Sequence, residues 1–309
     1  MTRRLFGLHL CVLAPALLIQ AGAAEPSLEF VQLTDTHVNR LAGAEARVAK
    51  ARSHFAPSLT TLPAFFAGPG RELRPSFYLI TGDLIDAFRY EGEQGAPLYG
   101  QVEAFAQAAA GAGAPLYLAL GNHDLQHYSA DPATGRLRAD QSVAGEARAA
   151  WIRSAPCFAG GTYYAFDRSV GRRTYRFVVL DNGYNSGAIA AEELQWLRRE
   201  AGQQGGRTLL LAMHIPLADD PNSAAIKDAL AAAKIALVLA GHKHTNGVEE
   251  IPLGAATAVQ VRTAAFGYGE KNWRRVRLRQ DAIDVFSTGS ADAVERTISI
   301  GLAAAAAGR

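Results

Sequence analysis

The sequence predicts a single α/β domain, and three observations carry the prediction. Short apolar runs of strand length alternate with Ala-rich stretches of helical composition. A chain of 309 residues, 49% of them hydrophobic, is long enough to enclose a substantial apolar core. No internal repeat or long linker divides it. The composition excludes other classes. The chain is too apolar for disorder, too poor in Cys for a disulfide scaffold, and without the periodic Gly of a collagen. Lys and Arg total 31 against 29 Asp and Glu, which is not the basic surplus of a nucleic-acid clamp.

Even the small excess of positive charge belongs to the N-terminus. Arg3 and Arg4, the apolar run from Leu5 to Ile19 and the small-x-small triplet Ala21-Gly22-Ala23 read as an export signal over 1–23, cleaved after Ala23 or Ala24. The expected location is therefore periplasmic or extracellular. The run is shorter than the roughly 20 residues of a membrane span; an uncleaved anchor is the alternative. Removing the two arginines leaves 29 basic and 29 acidic residues, so the mature chain is formally neutral. Nothing then points to nucleic acid or an anionic membrane as partner. Cys11 falls inside the signal. Cys157, left alone, cannot form an internal disulfide and reads as a small packed residue rather than an activated thiol.

Along the mature chain, Leu28 to Thr34 is a buried strand that ends at Asp35-Thr36-His37. A helical stretch follows from about Ala44 to Phe66, interrupted at Pro57 and Pro63. Phe77 to Ile80 is a second strand, leading into Gly82-Asp83. Leu98 to Ala110 is a helix stopped by Gly111 and Gly113, and Leu116 to Leu120 is a third strand, leading into Gly121-Asn122-His123-Asp124. The segment from Leu125 to about Cys157 reads as a connecting excursion with one helix near Gln141 to Arg153. Tyr163 to Asp167 and Thr174 to Leu180 form an antiparallel pair across Gly171. Ala190 to Glu200 is an amphipathic helix with Leu194 and Leu197 inward. Thr208 to Met213 is a strand ending at His214, and a helix begins at Ser223. Ile235 to Ala240 is a strand ending at Gly241-His242-Lys243-His244, and further strands follow at Arg274 to Leu278 and Ala282 to Phe286. The Ala-rich residues 302–309 read as a loose tail, leaving 24–301 as the domain.

Histidine placement carries the chemistry. Of eight histidines, His37, His123, His214, His242 and His244 stand directly after strands, where the loops of an open α/β sheet converge on one crevice. Asp35, Asp83 and Asn122 share those positions. Imidazole and carboxylate ligands without thiolate suit iron, manganese or zinc. In extended backbone, residues two apart face the same side, so Asp35 with His37, and His242 with His244, are expected to point into one cavity. Asp35, His37, Asp83, Asn122, His214, His242 and His244 are too many ligands for one ion that keeps positions open for substrate. Two ions sharing a carboxylate are expected, as in two-metal phosphate chemistry.

The ordered blocks Asp35-x-His37, Gly82-Asp83, Gly121-Asn122-His123-Asp124, His214 and Gly241-His242-x-His244 resemble the calcineurin-like metallophosphoesterase superfamily. Gly-Asn-His-Asp followed by Gly-His-x-His is a specific pairing, and the blocks span residues 35 to 244. The resemblance implies a four-layer α/β/β/α sandwich of two mixed sheets around a dinuclear centre. It assigns Asp35, His37 and His244 to one metal and Asn122, His214 and His242 to the other, with Asp83 bridging. It places His123 against the substrate as the catalytic side chain. Asp86 matches a carboxylate that orients this histidine in phosphoprotein phosphatases, although Ala87-Phe88 replaces the Arg-Gly expected there; a loop-capping role is the alternative. Asp86 also stands where purple acid phosphatases carry a metal-bound tyrosine, which argues against a purple iron site. The Thr-Asp-Thr-His and Gly-Asp-Leu-x-Asp blocks look most similar to the branch of class III cyclic-nucleotide phosphodiesterases.

The implied activity is hydrolysis of a small-molecule phosphate ester, monoester or diester, by in-line attack of a metal-bridging hydroxide, with His123 protonating the leaving oxygen. Two alternatives stand beside it. The scaffold could be a non-catalytic, metal-dependent binding module, although its ligand positions are all filled, or the histidines could be satisfied loop residues. Asp124 reads as a partner of its own loop. His54 reads as a surface or core-edge residue and Trp196 as core packing. His127, Tyr184, Asn185 and Arg89 are possible pocket residues, and the 125–157 excursion is expected to shape substrate choice.

Overall fold

The computed structural model describes residues 25–184, 188–253 and 256–301. The signal segment, Cys11, Asn185 and the 302–309 tail lie outside the described residues.

Tyr78–Thr81 and Thr208–Ala212 are buried at every position, as strands must be when both faces of a sheet are covered. Each belongs to a six-stranded sheet. The first has the spatial order Val294–Ser299, Ala282–Phe286, Arg274–Arg279, Ser27–Leu33, Tyr78–Thr81, Leu116–Ala119. The second runs Gly247–Leu253, Ala256–Arg262, Ile235–Ala240, Thr208–Ala212, Arg173–Val179, Tyr164–Val170. Both are mixed. Ser27–Leu33, Tyr78–Thr81 and Leu116–Ala119 are parallel, as are the four strands from Arg173–Val179 to Ala256–Arg262. The outer pairings are antiparallel.

The two sheets pack through Phe30, Phe77, Phe177, Leu210, Val261 and Val276. Phe30 stacks on Phe77 at 4.8 Å, and Phe177 meets both rings edge-on at 5.4 Å, the offset and perpendicular geometries that aromatic quadrupoles favour. Helices Ser58–Ala67, Gln101–Ala109 and Ala144–Ser154 cover the first sheet through Leu62, Phe66, Phe105 and Trp151. Ala191–Gly202 and Ser223–Ala229 cover the second through Leu197 and Ile226. The layers are therefore helix, sheet, sheet, helix. Cys157 packs partly buried against the first helical layer, and burial pushes its thiol upward.

Two local readings change. The interruption at Pro63 is absent, because Ser58–Ala67 runs through it. Burial of Leu62, Phe65 and Phe66 holds the turn that the proline deprives of one hydrogen bond. The 125–157 excursion is more than a connection. His127–Ala130 and Leu137–Asp140 join Arg89–Glu91 and Pro97–Leu98 in a third, four-stranded sheet. Strands of two to four residues are too short to show a period. Cross-strand pairing and the cluster of Val48, Tyr90 and Tyr128 hold them instead.

A buried ionic knot ties the second helical layer to the sheet ends. Asp181 accepts hydrogen bonds from Arg148 Nε and Thr162 Oγ1, both at 2.6 Å, and its backbone N–H donates to Glu193 Oε1 at 2.8 Å. Burial, then the Asp181 charge, pushes the Glu193 carboxyl from 4.5 up to about 9. The folded chain thus holds a proton between those pH values that the unfolded chain gives up. Its contribution to stability is full below the lower value, falls as pH rises, and levels off above the upper one. Glu193→Gln keeps the acceptor and removes the titration. Urea denaturation at pH 5 and pH 9 should show the wild type losing stability relative to this variant at the higher pH; parallel behaviour would refute the protonated Glu193.

Candidate metal centre

Parallel strands deliver their following loops to one edge, and the loops after Leu33, Thr81, Ala119, Ala212 and Ala240 meet there. The backbone is not extended at the ligand positions. Asp35, His37, Asp83, His242 and His244 have φ of 51°, 44°, 50°, 67° and 57°, and they are five of the seven non-glycine residues in this region among the described residues. The alternation expected for residues two apart is thus replaced by left-handed turns, which Asp and His tolerate better than most. Two glycines allow the loops to close. A Cβ on Gly121 would lie 2.2 Å from Asp83 Oδ1, and one on Gly241 would lie 1.9 Å from Thr34 Oγ1.

Two groups of ligand atoms result. In the first, Asp35, His37, Asp83 and His244 each offer an atom within 4.8 Å of the others. His244 Nε2 is 3.1 Å from Asp35 Oδ1 and 3.3 Å from His37 Nε2, and Asp83 Oδ2 is 3.8 Å from His37 Nε2. In the second, Asn122 Oδ1 is 3.1 Å from both His214 Nε2 and His242 Nδ1, and Asp83 Oδ1 is 3.3 Å from His214 Nε2. Among the described residues, Asp83 alone faces both groups, one oxygen to each. His242 and His244 therefore serve different groups within the shared cavity.

The donor set fits metal ions. Ligand atoms about 2.1 Å from an ion and at right angles lie about 3.0 Å apart, close to the shorter separations here. Thr34 Oγ1 and the His242 N–H both donate to Asp35 Oδ2, at 2.6 and 3.0 Å. Asp35 Oδ1 remains buried with no hydrogen-bond donor, a costly state for a carboxylate unless a cation meets it. Burial opposes ionisation of Asp35 and Asp83, yet the neighbouring imidazoles hold both carboxyls below their usual range. Burial, with the charges of His123 and His214 respectively, pushes His37 down to about 3 and His242 down to about 4, so both present neutral nitrogen. Burial works against charge on His214, but Asp83 pushes it up to about 9; Nδ1 lies 2.9 Å from Thr81 O, which holds one ring proton there, so an ion would take the place of the other proton on Nε2.

His123 belongs to neither group. Its Nδ1 is 2.7 Å from the Asp86 carbonyl oxygen, and its side chain is 16% exposed at the rim. Burial works against its charge, but Asp83 and Asp86 outweigh this and push the imidazole up to about 9. Asp86, for which an orienting role toward His123 or a loop-capping role was expected, has its Oδ1 3.5 Å from His123 Nδ1. Its carboxylate is occupied by Arg52 Nε at 2.9 Å, by Arg52 Nη2, and by Tyr90 Oη at 2.6 Å. It is a positioning residue that fixes the loop whose carbonyl holds His123. Although His37, Asp86 and His123 also lie within 4.8 Å of one another, those partners leave Asp86 a buttress. Asp124 accepts from Gly121 N and Ile85 N at 2.7 and 3.0 Å, holding its own loop.

Sequence reasoning missed several contributors. Asn182 Oδ1 accepts from His214 N at 2.8 Å and Ile215 N at 3.3 Å; its place after a strand was the available signal. Arg52 comes from the helix Ala46–Arg52, and Tyr90 and Tyr128 come from the third sheet; no spacing links them to the loops. Phe55 stacks on His37 at 4.0 Å, and Tyr268 lies 5.1 Å from His244. His127 pairs with Asp140 at 3.6 Å, Arg89 bonds Tyr99 Oη at 3.3 Å, and Tyr184 lies under Arg148 at 4.7 Å.

Comparison with known proteins bears on the fold and the family. No curated protein sequence matches the chain significantly. Solved structures do match in fold. A dimetal phosphatase from Danio rerio has 14% identity and a TM-score of 0.60, over 90% of this chain and 100% of that one. GAP50, the anchor in the inner membrane complex of Plasmodium, has 11% identity and a TM-score of 0.51, over 90% of each chain. The purple acid phosphatase PPD1 from yellow lupin (Lupinus luteus) has 12% identity and a TM-score of 0.53, over 91% of this chain and 55% of that one. The family model for calcineurin-like phosphoesterases matches residues 28–246, a span that contains all the candidate ligands and His123, and the chain belongs to that family.

Proposed function

We propose that the protein hydrolyses phosphate esters of small molecules at a dinuclear metal centre and does so outside the cytoplasm. The observation that carries the reading is Asp83, whose two carboxylate oxygens face two separate ligand groups beside a histidine that has no place in either. Asp35, His37 and His244 would hold one ion, and Asn122, His214 and His242 the other, with Asp83 shared. The all-nitrogen-and-oxygen set suits iron, manganese or zinc. Such ions supply Lewis-acid polarisation of the phosphoryl oxygens and activation of water for in-line attack.

The chain's own residues complete the chemistry. The Asp86 carbonyl takes the Nδ1–H of His123, so a proton on Nε2 is free to reach the phosphoryl group. There it offsets charge developing on the equatorial oxygens or passes to the leaving oxygen. Arg52 and Tyr90 keep the Asp86 loop in place, and Asn182 keeps the His214 backbone in place. Location outside the cytoplasm is supported by the basic, apolar and small-residue order of residues 1–23, and it favours a substrate met outside the cell over an intracellular second messenger.

Elemental analysis of the purified protein is expected to find two ions per chain, and Asp83→Asn is expected to lose both together with activity. An Asp83→Asn protein that keeps its metals would end the bridged reading. His123→Ala should keep both ions and lose about 10²- to 10⁴-fold in turnover on p-nitrophenyl or bis-p-nitrophenyl phosphate; unchanged turnover removes His123 from the chemistry, and the ratio of the two substrates assigns monoester or diester preference. A metallated protein inert to both would favour a binding role. Mass spectrometry of protein recovered from a periplasmic or culture fraction should show a chain shortened by cleavage after Ala23 or Ala24; full-length protein in that fraction would indicate an anchor.

A further inference from the structure

Tyr268 is the most exposed large hydrophobic side chain among the described residues, at 58%, and it stands beside the candidate metal centre with its ring 5.1 Å from that of His244. A single exposed aromatic is ordinary; the backbone that carries this one is tied down. Phe266 N donates to Thr34 O at 3.0 Å and Gly267 N to Asp35 O at 2.9 Å, so its short turn is hydrogen-bonded to the Asp35 loop itself. Asn272 Nδ2 donates to Ala265 O at 2.8 Å. A Cβ on Gly267 would come within 3.1 Å of the Phe55 ring and 3.2 Å of Asp35 O, which shows how closely the turn is pressed onto that loop.

The ring has aromatic neighbours. Phe55, itself stacked on His37, lies 5.0 Å from Tyr268. His54, also exposed, lies nearly parallel to Tyr268 at 11° with centroids 6.2 Å apart. His54 and Tyr268, backed by the buried Phe55, thus form a wall on the side of the centre occupied by Asp35, His37 and His244. A ring on a fixed backbone and flanked by other rings has less freedom to lose when a planar group stacks on it, and stacking accepts any flat π-system.

We propose that this wall selects phosphate esters whose esterified group is aromatic, an aryl or heteroaryl ring stacked against Tyr268 while the phosphoryl group meets the ions; the proposal rests on the hydrolase reading above. The test compares kcat and KM for phenyl phosphate and ethyl phosphate in the metal-loaded wild type, Tyr268→Ala and Tyr268→Phe. Differences in leaving-group reactivity cancel between enzymes acting on the same ester. Tyr268→Ala should raise KM for phenyl phosphate about tenfold and leave that for ethyl phosphate unchanged, while Tyr268→Phe restores the wild-type value. Equal effects on both esters, or none on either, would overturn the aromatic wall. Calorimetric binding of phenylphosphonate and methylphosphonate, which have no ester bond to cleave, separates the two readings. Preference for phenylphosphonate that disappears in Tyr268→Ala, in a protein that turns over no ester, would retain the wall and reject the hydrolase. Absence of that preference overturns the wall whatever the activity.

Discussion

The arrangement depends on one buried carboxylate. Asp83 sits at the seam between the two sheets, one oxygen toward the ligands led by Asp35 and the other toward His214 and Asn122. Its Oδ1 also accepts the His123 N–H at 2.9 Å, so the side chain that would join two ions also fixes the loop carrying the residue that would face the substrate. An ionised group this deep survives only when positive charge and hydrogen bonds surround it. The loops from both sheets are drawn together to provide them.

That convergence has a conformational cost, which the fold offsets locally. Left-handed backbone at five ligand residues is unfavourable by about 1–2 kcal/mol each. Hydrogen bonds between neighbouring loops hold these turns. Asp35 N donates to Gly82 O, His37 N to Asp83 O, and Gly241 N to His214 O, all at 2.9 Å. Strain concentrated on the chemistry-bearing residues is the pattern expected where geometry is imposed for function. The same close approach explains Gly121 and Gly241 by sterics alone, since neither position has room for a Cβ.

Around this centre the third sheet has a supporting role that its short strands conceal. Tyr90 lies in Arg89–Glu91 and Tyr128 in His127–Ala130. The first bonds Asp86, and the second lies under the Arg52 guanidinium at 4.7 Å. Burial alone would raise the Asp86 carboxyl, but Arg52 and His123 hold it well below the usual carboxylate range. A fixed carboxylate there fixes the carbonyl that sets the His123 tautomer. An excursion expected to shape substrate choice thus also supports the orientation of the candidate acid.

The ligand types and the strands that deliver them were legible from the sequence because both are local. Apolar runs ending in Asp, Asn or His need only a few consecutive residues to be recognised, and the ordered blocks narrow the family further. Their division into two groups was implied by resemblance, but the left-handed turns that accomplish it depend on loops more than 200 residues apart in sequence, as between Asp35 and His242. Arg52, Tyr90 and Tyr268 had no signature of their own, and Asn182 only its place after a strand, since their partners lie on other layers and no periodicity records a contact across them. By itself the sequence determined which side chains could bind and react. The tertiary structure decided which oxygen of Asp83 faces which group, that Arg52 and Tyr90 hold the Asp86 carboxylate, and that Tyr268 stands beside His244, because each is a matter of packing between distant segments.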